Sequence, residues 1–196
     1  MEEKEELNPQ ESLAIIQNMI ATAKHQLADD GFYLLLWGWL VFASAMVHYM
    51  GLQIEWYAAG VVWAITMPIG GIVSVIYSRK EAKTEHVKTY LSSYLGYLWT
   101  AFGIALALTL LSMNTLGIGE SYFFVMILYG MATFISGGLL QFKPLVIGGL
   151  CSFVCAIVSV FTPKDHILLI LAASLLLSYI IPGHLLRKLY KSALHV

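Results

Sequence analysis

Six long uncharged stretches, set apart by a few charged residues, constrain this 196-residue chain more than any other feature. Between Asp30 and Glu55 lie 24 residues without Asp, Glu, Lys or Arg, and between Glu55 and Arg79 there are 23. Lys88 to Glu120 encloses 31, Glu120 to Lys143 encloses 22, Lys143 to Lys164 encloses 20, and Asp165 to Arg187 encloses 21. A helix that crosses the hydrocarbon of a bilayer needs about 20 apolar residues. All six stretches reach that length, which predicts helices near 31–50, 56–78, 89–112, 120–141, 144–162 and 166–186. Composition agrees: 59% of residues are hydrophobic and 12% are charged, against about a quarter charged in a soluble domain. The predicted fold class is an all-α integral membrane protein with six transmembrane helices over 31–186. An acidic tail and an amphipathic cytoplasmic-side helix occupy 1–30 ahead of it, and a short basic cytoplasmic tail follows at 187–196.

The charges gather at Ser78 to Lys88, where Arg79, Lys80, Glu81, Lys83, Glu85 and Lys88 make a hinge between the second and third spans. Lys and Arg also give the orientation. With the N-terminus inside, ten of the eleven fall on cytoplasmic parts and Lys164 alone falls outside, a strong positive-inside bias that requires an even number of spans. Both termini are therefore expected in the cytoplasm. The opening MEEKEELNPQ is acidic and lacks the short apolar core and small-residue cleavage site of a signal peptide. A net charge of −1 supplies no basic field for nucleic acid. Tyr90, Tyr94 and Tyr97 after the hinge, and Trp56 and Tyr57 at an outer end, suit an interfacial aromatic belt.

Ahead of the first span, Asn8 can cap a helix, Pro9 suits its first position and Glu11 stands three after the cap. Leu13, Ile16, Ile20, Ala23 and Leu27 then form one apolar stripe. That stripe can lie along the cytoplasmic interface against its own bundle. It can also meet a cytoplasmic protein partner, or a second copy of the chain, through residues 9–30. The lipid bilayer is the remaining partner.

The even-numbered spans share a pattern near their cytoplasmic ends: Ile69-Gly70-Gly71, Ser136-Gly137-Gly138 and Pro182-Gly183-His184. Leu36-Trp37 and Leu98-Trp99 match in the odd spans. Two spans per unit preserve orientation, so the bundle reads as three tandem two-helix hairpins. The glycines, with further small-xxx-small pairs at Gly60/Ala64, Gly103/Ala107 and Gly148/Ser152, allow close backbone approach. Pro68 and Pro182 remove hydrogen bonds from the second and sixth helices and are expected to kink them.

Function in a membrane bundle usually shows as ionisable residues at membrane depth, and the span centres hold none. Nucleophile-elbow, paired-aspartate and zincin patterns do not occur. The expectation is a chain that is not an enzyme, with no cofactor and no metal. Cys151 and Cys155 stand at i, i+4 in an apolar run, where they read as small packing residues. Candidate cavity or switch residues are Trp37, Trp99, Gly137, Pro182 and His184. The first functional reading is a scaffold or sensor that works through its cytoplasmic face. The alternative is a passive transporter or channel for a small apolar or amphipathic solute.

Several stretches taken together resemble an uncharacterised family of short six-span bacterial inner-membrane proteins. They are Ser12-Leu13 with Ile15-Ile16 and Met19-Ile20, Leu36-Trp37-Gly38-Trp39, Gly96-Tyr97-Leu98-Trp99, Phe142 to Gly149, and Ile181-Pro182-Gly183-His184. The resemblance implies a bacterial inner (plasma) membrane location. It carries no functional residue, because the family has no established activity.

Overall fold

The computed structural model describes Asn8, Leu13 and residues 31–81 and 90–193. The expected helix over 9–30, Leu13 excepted, lies outside the described residues, as do residues 82–88 of the expected hinge. Leu13 itself is helical and exposed.

The chain forms α1 (Gly31–Gln53), α2 (Val61–Glu81), α3 (Tyr90–Leu111), α4 (Ile118–Leu139) and α5 (Lys143–Phe161). A sixth rod follows in three pieces: α6 (Ile167–Leu175), one π turn (Leu176–Ile180) and α7 (Ile181–Ala193). Short 3-10 turns at Tyr57–Gly60 and Lys164–His166, and a single helical turn at Met113–Leu116, join them. Among the described residues, six helical segments are long and apolar enough to cross a membrane. The charges thus marked the spans well. The main difference is at the end, where α7 continues through Arg187 to Ala193, so most of the expected 187–196 tail is helical. The first hinge residues, Ser78 to Glu81, likewise extend α2.

The sixth rod is the most enclosed and α3 the least, with α2 close behind. α1 packs on α2 and on α6, the π turn and α7, while α5 packs on α4 and the sixth rod, and α3 packs on α4. The body is thus a four-rod core of α1, α4, α5 and the sixth rod, with α2 and α3 at its flanks. Two ends can be distinguished. At the terminal end Gly31 of α1 meets Gly183 and Arg187 of α7. At the connection end Tyr49 of α1 meets His166 ahead of α6, and Lys164 meets Glu120 of α4.

Close approach in the core depends on glycine. A Cβ on Gly137 would stand 2.6 Å from the Val146 nitrogen, and one on Gly149 would stand 2.7 Å from the Phe134 nitrogen. These two contacts seat α4 directly on α5, where only a hydrogen fits between backbones. Both helices that end in a tight turn close it without glycine: Glu55 (φ 57) and Gln141 (φ 52) take the left-handed conformation. In each case the next residue reaches back five positions, Trp56 to the Gly51 carbonyl and Phe142 to the Gly137 carbonyl. This is the helix-ending geometry normally occupied by glycine.

Candidate functional site

Proline 182 has no N–H, so the helix ladder must lose a bond beside it. The chain widens by one residue just before the ring: the Ile181 N–H donates to the Leu176 carbonyl, five residues back. π turns inside α-helices frequently mark functional positions. Here the turn is gripped on two sides by glycines. A Cβ on Gly148 of α5 would meet the Leu177 carbonyl oxygen at 2.9 Å, and one on Gly38 of α1 would meet the Tyr179 Cβ at 3.0 Å. Pro68, by contrast, lies inside α2, which runs as one helical segment through it.

Tyr179, held by that turn, is 2% exposed and closes a ring of four aromatic side chains. Its centroid lies 6.3 Å from Trp99 and 5.2 Å from Tyr129, both edge-on. Phe102 completes the circuit at 5.3 Å from Trp99 and 5.2 Å from Tyr129. These rings fasten the flanking helix α3 to the core through edge-to-face contacts. The Tyr179 hydroxyl and the Ser136 hydroxyl are both buried without a hydrogen-bond partner.

Beside the ring, a hydroxyl relay joins three rods. Ser152 of α5 donates to the Met126 carbonyl of α4 at 3.0 Å and lies 2.7 Å from Ser174 of α6. With the Ser152 proton used on Met126, Ser174 is the donor between the two. Ser178 donates to its own helix at the Ser174 carbonyl, 2.7 Å away. From sequence, Ser152, Ser174 and Ser178 read as polar groups able to bond within their own helix or across helices, and Tyr179 and Tyr129 were passed over. The available signal was Ser174, Ser178 and Tyr179 following one another shortly before Pro182.

The sequence-named residues do not converge. Pro182 is buried at the centre, and Trp99 is half-buried against it beside Tyr179. Gly137 is closed by Val146. Trp37 lies between α1 and α2, where its Nε1 donates to Ser74 Oγ at 3.1 Å and its ring covers Gly70. His184 is exposed on α7, its ring edge-on to Trp39 at 6.5 Å. Cys151 and Cys155 are unbonded and half-buried.

Polar contacts also fasten α2, which packs mainly on α1. Ser44 and Thr66 lie 2.9 Å apart, each also close to a carbonyl of its own helix. Nearer the connection end, Trp63 Nε1 donates to His48 Nδ1 at 3.0 Å. Together with Trp37–Ser74 these make three rungs along one helix pair.

No family model matches the chain, and no curated protein or solved structure is detectably similar to it.

Proposed function

We propose that this chain is a non-enzymatic scaffold or sensor of a bacterial inner membrane, with both termini cytoplasmic, acting through its cytoplasmic face. The observation that carries the reading is how the core rods meet. A Cβ added to Gly38, Gly137, Gly148, Gly149 or Gly183 would meet a neighbouring helix at 3.0 Å or less, so these rods pack directly on one another. Substantial polar surface is then left for the ends. In this orientation the terminal end, with Arg79, Lys80, Lys143, Arg187 and Lys188 described and exposed, faces the cytoplasm. Leu13, first residue of the amphipathic stripe, is 57% exposed and so available to a cytoplasmic protein or a second copy.

The test is a pull-down from membranes with and without residues 1–30. The shortened chain should insert normally and lose its partner; retention of the same partner would overturn the reading. The second reading, a passive transporter or channel for a small apolar or amphipathic solute, draws on the unpartnered Tyr179 and Ser136 hydroxyls. A carrier would move solute in liposomes holding the purified chain alone, which a scaffold would not.

A further inference from the structure

The three rungs between α1 and α2 differ in one chemical respect. In Trp37–Ser74 and Ser44–Thr66 the acceptors are hydroxyl oxygens, which keep their lone pairs at any ordinary pH. The third rung is indole to imidazole, Trp63 Nε1 to His48 Nδ1 at 3.0 Å. An indole nitrogen only donates, so Nδ1 must accept, and it accepts only while unprotonated. Imidazole is also the side chain whose ordinary charge change falls between about pH 5 and 8. We propose that Trp63–His48 is a proton-sensitive clasp on the first hairpin, and that acidification at the connection end is the signal this protein senses. The placement of that end outside the cell rests on the function proposed above; the chemistry of the clasp does not.

Protonation of Nδ1 turns the acceptor into a second donor aimed at the indole N–H, and the rung is lost. The two hydroxyl rungs remain. α2 therefore loosens at the connection end while staying attached along the rest of its length, and its opposite end leads through Arg79, Lys80 and Glu81 into the charged connection to α3. Among the described residues α2 packs mainly on α1.

His48 is half-buried and faces Gly60 of the 3-10 turn. The other described ionisable side chains at this end are Tyr49 on α1, Glu55 in the connection to α2, Glu120 and Tyr122 on α4, and Lys164, Asp165 and His166 ahead of α6. Tyr49 and His166 engage each other at 3.4 Å, and Lys164 lies 4.0 Å from Glu120. Among the described residues the only hydrogen bond to His48 is that of Trp63. His166, an imidazole at the same end that engages Tyr49 rather than Trp63, serves as the control.

The indole N–H resonances of the full chain, labelled with nitrogen-15 in lipid nanodiscs, read the clasp directly. Trp63→Phe assigns its signal. On lowering pH from about 8 to 5 the Trp63 resonance should shift with a single midpoint, while that of Trp37 stays in place. In His48→Asn, whose carbonyl oxygen accepts at every pH, the shift should vanish; in His166→Asn it should persist. A Trp63 resonance that stays flat in the unaltered chain overturns the clasp, as does a titration that survives His48→Asn. The resonance needs no partner, so a flat trace leaves the scaffold or sensor reading standing. A titrating trace beside a pull-down indifferent to residues 1–30 keeps the clasp and removes that reading instead.

Discussion

Glycine carries two different messages in this chain, and single substitutions separate them. Gly148 and Gly103 each open a small-xxx-small pair, and in sequence the two are equivalent. In the fold a Cβ on Gly148 would press on the Leu177 oxygen and the Ser178 Cα, both at 2.9 Å, whereas one on Gly103 meets nothing within 4 Å. Backbone cannot yield as a flexible side chain can, so Gly148→Ala should cost about 1–3 kcal/mol. Gly103→Ala relieves only the conformational cost of glycine within a helix and should be neutral or stabilise by up to about 1 kcal/mol. Equilibrium unfolding in mixed detergent micelles distinguishes the two, and equal effects would mean that the π turn is not gripped as described. The motif was therefore legible while its use was not. A small-residue face permits a close approach, and whether a rod arrives is decided by the whole bundle. Tyr179 shows the same limit from the other side: tyrosine is ordinary in a membrane helix, and only the fold turns it into the hub of four rings.

At the scale of elements, sequence reading went furthest where the physics is one-dimensional. Charge is costly in hydrocarbon, so Glu55, Glu120 and the Lys164-Asp165 pair had to mark helix ends, and they do. The π turn was less accessible. Pro182 announced a broken ladder but not the widened turn ahead of it, which the grip of Gly38 and Gly148 accompanies. The attachment of α2 was also hidden, because Trp37 and Ser74 lie 37 positions apart. Its polar rungs imply a measurable coupling. Interhelical hydrogen bonds within membranes contribute about 0.6 kcal/mol on average and up to about 1.7. A double-mutant cycle of Trp37→Phe and Ser74→Ala should give a coupling in that range. A coupling near zero would show that α2 is held by apolar contact alone.

For the molecule as a whole, six rods of even count bring the first and last described helices together: Gly31 stands 3.5 Å, measured from an added Cβ, from the Gly183 carbonyl. The start of α1 and the last helix α7 therefore share one end, whichever side of a bilayer that end faces. Charge supports the proposed side, since ten of eleven Lys and Arg residues fall in the sequence segments assigned to the cytoplasm and basic residues are retained where the chain is made. This gives a prediction for the full topology. Alkaline phosphatase, active only outside the cytoplasm, should be inactive when fused at either terminus or within 82–89, and active when fused after Glu55, Leu116 or Lys164. The two outcomes cannot be mixed: one active fusion at a terminal-end site together with an active one at a connection-end site would mean that a rod fails to cross. The weakest rod to ask this of is α3, the least enclosed of the six and joined to the core chiefly through α4 and the Trp99–Tyr179 contact. A fusion after Leu116 reports it directly, because only a crossing α3 carries that residue to the far side.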